Sequence, residues 1–124
     1  MKYSVIFTTL FISFGAQALS KQATQEFYEQ MSNHSLCAAA ATYTNNDAAS
    51  NGITNYMYEK LDFYANGEYL SNTKRGFMVG YSVGMSQAVF GQLYKQQGEP
   101  KGLAIKDFAE MVWGKMCKNL ELKS

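Results

Sequence analysis

Residues 72–97 read NTKRGFMVGYSVGMSQAVFGQLYKQQ, and this stretch decides the fold. It contains no proline, and small residues recur at every fourth position, at Gly76, Gly80, Gly84 and Ala88. On a helix with 3.6 residues per turn this spacing aligns them in one row. Each helical glycine costs about 0.8–1 kcal/mol relative to alanine. The row therefore predicts a long helix whose packing compensates for that cost.

A row without side chains lets a second backbone come close, and three kinds of neighbour fit it. Our first expectation is a tight crossing within the molecule, with the alanine-rich segment Ala38–Ala41 as the second helix. The alternatives are the seam of a homodimer and the close approach of a ligand. Ser82, Ser86, Gln87, Gln92 and the glycines leave too little apolar surface for a membrane span.

The N-terminus has the pattern of a cleaved signal peptide over residues 1–18. Lys2 precedes the apolar run 5–14, and Ala16-Gln17-Ala18 fits the small-x-small cleavage rule, with cleavage after Ser20 as the alternative. The apolar run is shorter than the roughly 20 residues that a membrane-spanning helix needs. We expect export to the periplasm and one mature domain over residues 19–124, a normal domain length.

The charges of the mature chain balance. Removal of Lys2 leaves ten basic against ten acidic residues. Nucleic-acid binding needs a basic surface, and a membrane-surface anchor needs a basic cluster. The composition therefore disfavours nucleic acid and stable membrane insertion.

Cys37 and Cys117 are the only cysteines, and they lie 80 positions apart. In an exported chain such a pair predicts one structural disulfide. A zinc site is the weaker interpretation, because two cysteines and the single His34 do not complete a tetrahedral set.

Apolar periodicity predicts the other helices. Together with the glycine-rich helix they form a single all-α domain of four to five helices around a Gly-rich central helix, stapled by one disulfide. The polar stretch 44–54 is predicted to be the longest loop, and Asn66-Gly67 is predicted to end the helix after it. The predicted helices cover residues 21–33, 36–43, 53–65, 72–97 and 103–120, with Thr24, Thr54 and Ser71 at N-termini. Residues 33–35 either interrupt the first helix, with Ser35 as a new N-cap, or let the first helix continue into the second.

The sequence contains no recognisable catalytic motif. One histidine and two paired cysteines do not assemble a nucleophile with its base. The acidic pairs Glu26/Glu29, Glu59/Asp62 and Asp107/Glu110 have the i, i+3 spacing of solvated helix faces. We therefore predict a protein that is not an enzyme and that holds no cofactor or metal. The alternative is an enzyme with an unrecognised carboxylate site, for which Glu59/Asp62 is the most plausible pair. Its abundant tyrosines favour a protein-binding surface.

The export signal, the helical pattern, the cysteine pair and the segment GYSVGMSQA (Gly80–Ala88) together resemble the small periplasmic immunity proteins of type VI secretion effectors. The resemblance is closest to the immunity partners of muramidase-type spike effectors. It implies an all-helical homodimer that occludes the active-site groove of a secreted peptidoglycan hydrolase.

Two polar turns are the candidates for insertion into such a groove. They contain Asn45, Asn46, Asp47 and Asn51 in the first turn, and Asn66, Glu68 and Tyr69 in the second. Tyr69 is the expected anchor of the second turn. The alternative function is an acid-stress chaperone of the periplasm, which is also small, exported, helical and disulfide-linked.

Overall fold

The computed structural model describes residues 19–67 and 69–122, and the predicted signal peptide and Glu68 lie outside the described residues. The described chain forms five α-helices and no strand, so the predicted all-α domain is confirmed. We name the helices in chain order: α1 (Lys21–Gln30), α2 (Ser32–Tyr43), α3 (Asp47–Ala65), α4 (Asn72–Leu93) and α5 (Ile105–Val112). None of the described helices is long and apolar enough to cross a membrane.

Two helices continue past their α-helical bounds in wider π-helical turns. The turn Tyr94–Gly98 extends α4 and leads into a short 3₁₀ turn, Glu99–Lys101. The turn Trp113–Cys117 extends α5. The predicted helices 72–97 and 103–120 are therefore close to the observed continuous helical segments.

Side chains set the helix ends where hydrogen bonds to the backbone are available. Ser71 Oγ accepts a hydrogen bond from the Lys74 amide at 3.2 Å, which confirms its predicted role at the start of α4. Asn66 ends α3 in the left-handed region at φ 53°, also as predicted. The prediction for Thr24 is wrong, because Ser20 caps α1 by accepting from the Ala23 amide.

The alanine-rich helix α2 is the most enclosed element. Ala38, Ala39, Ala40 and Ala41 are each at most 1% exposed. Cys37 and Ala38 belong to an apolar cluster shared with α1, α3 and α4, whereas Ala39 and Ala40 belong to a second cluster with α4 and α5. Small side chains on this helix let the other helices pack against it from several sides.

The disulfide Cys37–Cys117 is present, as predicted. It joins the first half of α2 to the π-helical turn after α5, and both cysteines are buried. The cross-link therefore holds the end of the chain against its most enclosed helix.

The predicted loop 44–54 is wrong. Helix α3 begins at Asp47, so Asn51, Gly52 and Thr54 lie within it, and only Thr44–Asn46 connect it to α2. Asn46 Oδ1 accepts a hydrogen bond from the Ala49 amide, and Asp47 places a negative charge in the first turn. These contacts start the helix early despite the turn-forming composition of the segment.

Ser35 is also not an N-cap. It lies inside α2, fully buried, and its hydroxyl hydrogen-bonds the hydroxyl of Ser82 on α4. It also lies 3.9 Å from Met57 Sδ on α3. A buried hydroxyl needs a partner, and this pair satisfies one on each of two adjacent helices.

The disulfide should contribute much of the free energy of unfolding. A cross-link that spans 80 residues restricts the unfolded chain by about 4.5 kcal/mol in the chain-entropy treatment. We expect reduction of the mature protein to lower its unfolding free energy in urea by about that amount. The double variant Cys37→Ser/Cys117→Ser is the control, since a reductant should leave its stability unchanged. A reductant that changes neither protein would contradict this role.

Two glycines with opposite surroundings give a second test. A Cβ added at Gly98 would lie 2.7 Å from Tyr94 Cδ2 and 3.0 Å from the buried Phe108 ring, and the Tyr94 hydroxyl is fixed by a hydrogen bond to the Leu103 carbonyl. Gly98→Ala should therefore destabilise the fold by about 1–3 kcal/mol. At Gly52, inside α3, a Cβ meets nothing within 4 Å, so Gly52→Ala should stabilise by about 1 kcal/mol. Urea unfolding of both variants measures the contrast, and equal effects would be inconsistent with it.

Candidate functional site

The two predicted insertion turns lie at opposite ends of α3. Asn45, Asn46 and Asp47 are exposed at its N-terminal end, and Asn51 is exposed one turn further along. At the C-terminal end, Asn66 is exposed and Tyr69 is 75% exposed. A helix of 19 residues is about 28 Å long. The structure therefore separates the two predicted turns by about the length of α3.

A cavity adjoins the turn between α2 and α3. Its volume is about 440 Å³, and its lining comes from that turn and from the end of α5. Sequence reasoning missed the α5 contribution, because nothing in the spacing relates positions 44–46 to positions 110–113. The lining residues are Thr44, Asn45, Asn46, Glu110 and Trp113.

The glycine row is not an internal crossing. An added Cβ would meet nothing within 4 Å at Gly80 or Gly84, and both glycines are exposed. Ala88 is exposed too, and a Cβ at Gly76 would only touch the Tyr58 hydroxyl at 3.8 Å. Helix α2 does pack against α4, as expected, but it does so on the opposite side of α4. That inward side carries the buried residues Met78, Val79, Ser82 and Phe90.

A row of large apolar side chains runs beside the glycines on the outside of α4. Phe77 is 67% exposed, Tyr81 50%, Met85 51% and Val89 50%. The four are spaced four residues apart, so they form one ridge. We call this ridge, together with Gly80, Gly84 and Ala88, the outer face of α4.

The outer face has no charge. The sequence from Gly76 to Tyr94 contains no charged residue, although many of its residues are exposed. Surfaces that contact other proteins are depleted of charge and enriched in aromatic residues and methionine. The sequence does contain this signal, because the ridge residues repeat every four positions directly after the small residues of the glycine row. The glycine row by itself does not show which side of the helix faces outward.

Aromatic contacts hold the N-terminal half of the ridge. The Phe77 and Tyr81 rings stack with centroids 6.0 Å apart, and Tyr81 meets Tyr28 of α1 edge-on at 5.5 Å. Burial raises the pKa of the Tyr28 hydroxyl above its usual value, and the nearby Tyr81 hydroxyl raises it further. Tyr81 thus stands in a defined position while half of its surface remains exposed.

The acidic pairs proposed from the sequence all lie at the surface. Glu26, Glu29, Glu59, Asp107 and Glu110 are exposed. Asp62 is exposed as well and accepts a hydrogen bond from Arg75 Nη2 at 2.8 Å. Within the described ranges no group of three histidine, cysteine, aspartate or glutamate side chains is placed to hold a metal ion.

His34 is half-buried at the contact between α2 and α3. Its ring stacks on Tyr56 with centroids 4.7 Å apart, and its Nε2 lies 2.7 Å from the Glu121 carbonyl oxygen. Because a carbonyl only accepts, this contact requires a proton on Nε2. His34 therefore attaches the C-terminal segment to α2 and α3.

Comparison with known proteins adds no relative: no protein-family model, curated protein or solved structure matches the chain.

Proposed function

We propose that this chain is a periplasmic immunity protein that acts as a homodimer and occludes the active-site groove of a type VI secreted peptidoglycan hydrolase of the muramidase class. The observation that carries the proposal is the outer face of α4, an exposed apolar surface without charge. An exposed apolar face of this kind marks a protein-binding site. The disulfide is compatible with export to an oxidising compartment.

The outer face is complementary to a second copy of itself. The ridge of Phe77, Tyr81, Met85 and Val89 lies directly beside the groove at Gly80, Gly84 and Ala88. Under two-fold symmetry the same patch meets itself, so each ridge enters the groove of the other copy. Ridges of four-residue spacing pack at a crossing angle of about −50°. The absence of side chains at the two glycines permits close approach of the backbones.

This use of the row accounts for the glycines. Within the monomer they make no close contact, so nothing there offsets the propensity cost of about 0.8–1 kcal/mol for each. In a dimer the same positions admit the side chains of the partner copy. The homodimer, which was the alternative interpretation of the row in the sequence, is therefore the one we propose.

A dimer of this kind leaves the turns at the ends of α3 for the hydrolase. Tyr69 offers a large exposed ring with a hydroxyl, and Asn45 and Asn51 offer amide groups. Amides and hydroxyls can hydrogen-bond the catalytic carboxylates and sugar-binding groups of a muramidase groove. Inhibition would follow from exclusion of the glycan strand and requires no turnover.

Substitution in the groove of the outer face should separate folding from assembly. Gly84 is exposed and a Cβ added there meets nothing within 4 Å in the monomer, so we expect Gly84→Leu to leave the circular dichroism spectrum unchanged. In the dimer it should overfill the groove and raise the dissociation constant about 30-fold, which equals about 2 kcal/mol. Sedimentation equilibrium measures this constant. Gly52→Leu is the control. Gly52 is a helical glycine on α3 where an added Cβ also meets nothing within 4 Å, so this variant should leave the dissociation constant of the dimer unchanged.

Two results would contradict the homodimer. If the unmodified protein is a monomer at all concentrations, the outer face has another partner. If Gly84→Leu fails to fold, the row is packed inside the molecule. Met85→Arg gives an independent check, because it places a charge on the ridge without touching the glycines.

Inhibition is tested against a panel of purified type VI effectors of the muramidase class. We expect stoichiometric inhibition of peptidoglycan lysis and a nanomolar dissociation constant by calorimetry. Tyr69→Ala should raise that constant about 30-fold, as loss of an exposed aromatic anchor does. Met116→Ala is the control, because Met116 is also a large exposed side chain but lies outside both turns.

The same experiment separates immunity from the chaperone alternative. A chaperone would suppress aggregation of unrelated proteins near pH 2–3 and would not inhibit the hydrolase. The one ion pair in the described chain, Asp62–Arg75, is at the surface, so acid breaks no buried pair there. If the hydrolase lyses peptidoglycan at its full rate in the presence of excess unmodified chain, the immunity proposal is wrong.

A further inference from the structure

The cavity between the α2–α3 turn and the end of α5 combines an aromatic ring with a single carboxylate. Its volume of about 440 Å³ lies within the range of small-ligand pockets. Its lining includes Trp113 and Glu110 but no lysine or arginine. The ionic part of the lining is therefore negative.

One wall of the cavity comes from Glu110 of α5 and from Trp113, the first residue of the π-helical turn that extends α5. Glu110 and Trp113 are three residues apart, so their side chains are neighbours. Trp113 packs against both apolar clusters of the core, which holds its indole ring in place. Glu110 is exposed and forms no ion pair within the described part of the chain.

The opposite wall of the cavity is the turn between α2 and α3, whose backbone is held by hydrogen bonds and whose asparagine side chains have unused hydrogen-bonding groups. The Asn45 amide donates to the Thr42 carbonyl and the Asn46 amide to the Ala41 carbonyl, which fixes the turn. Asn46 Oδ1 caps α3, so its side-chain NH₂ group still has two hydrogens to donate. The Asn45 side chain has no hydrogen-bond partner among the described residues.

The helix ends contribute little net charge to this cavity. The C-terminus of α2 and the N-terminus of α3 meet at Thr44–Asn46, so poles of opposite sign lie side by side. The Glu110 carboxylate is then the decisive charge, and Asp47 next to the turn has the same sign.

We propose that this cavity binds the guanidinium group of an arginine side chain presented by a partner protein. A planar cation can lie on the indole of Trp113 and at the same time donate two hydrogen bonds to the Glu110 carboxylate. The amide groups of Asn45 and Asn46 can bind the peptide groups that flank the arginine. Lysine fits less well, because its ammonium is a point charge without a planar face.

The identity of the partner rests on the proposed function: the arginine belongs to the inhibited hydrolase. The cavity adjoins the same turn that offers Asn45 and Asn46 for insertion. Binding of the arginine would then hold the hydrolase at the N-terminal end of α3, away from Tyr69 near the C-terminal end.

Blocked amino acids test the chemistry of the cavity without the hydrolase. Trp113 is the only tryptophan of the chain, so its fluorescence reports directly on the site. We expect N-acetyl-arginine methylamide to give a saturable change with a millimolar dissociation constant. The uncharged citrulline analogue should bind at least tenfold more weakly, and the lysine analogue should fall between the two.

Glu110→Gln should raise the dissociation constant of the arginine compound at least tenfold. Glu59→Gln is the matched control, since Glu59 is an exposed glutamate on α3 that does not line the cavity. Equal binding of the arginine and citrulline compounds, no saturable change, or preferential binding of N-acetylglucosamine would each overturn the arginine site. Circular dichroism confirms that both variants are folded.

A second measurement tests the site in the complex. Glu110→Gln should raise the dissociation constant for the hydrolase at least tenfold, and an unchanged constant would overturn the assignment of the arginine to that partner. If the unmodified chain inhibits no hydrolase, the proposed function fails. The titration with the blocked arginine still decides what the cavity binds in that case.

Discussion

Burial of the alanine run in α2 is the constraint on which the remaining packing depends. Ala38–Ala41 are almost completely inaccessible. Ala38 belongs to one apolar cluster and Ala39 and Ala40 to the other, and the two clusters together contain parts of every other helix. Only small side chains allow one helix to be surrounded in this way, because protein interiors hold few voids and tolerate little overpacking. Cys37 lies in the same helix, so the disulfide anchors the chain end to this centre. The long glycine-rich helix is then free to present a second face outward.

Helix α4 serves two different requirements on its two sides. Inward, Val79 and Phe90 are buried, and Ser82 satisfies the buried hydroxyl of Ser35. Outward, a ridge of large apolar side chains borders a groove made by glycines. Neither feature improves the stability of the monomer: exposed apolar area gains nothing from burial, and exposed glycines weaken the helix. Both features that do not stabilise the monomer lie on the outer face of α4, which is why we assign that face to assembly.

The short turn between α2 and α3 shows how structural and binding roles share the same residues. Asn45 accepts a left-handed backbone at φ 56°, which asparagine tolerates, and Asn46 starts α3. These structural roles use the backbone of Asn45 and the Oδ1 atom of Asn46, and they leave the side-chain amide of Asn45 and the NH₂ group of Asn46 for the cavity that both residues line. Hydrogen bonds to α2 hold the backbone of the turn in place. Binding there would need little ordering of the chain, and this favours affinity.

The sequence by itself determined the helical class, the disulfide and several helix ends, because these depend on local periodicity, on cysteine number and on the neighbours of Ser71 and Asn66. The prediction of a loop over residues 47–54 was wrong. It relied on the turn-forming asparagines, whereas the Asn46 cap and the burial of Ile53, which only the fold supplies, favour a helix there. Only the tertiary structure decided which side of α4 faces outward, because the glycine row by itself fits either a second helix or an exposed face, and α2 packs against the opposite side of α4. Only the tertiary structure joined Glu110 and Trp113 to Asn45, since side chains distant in sequence meet through packing and no local pattern encodes that meeting.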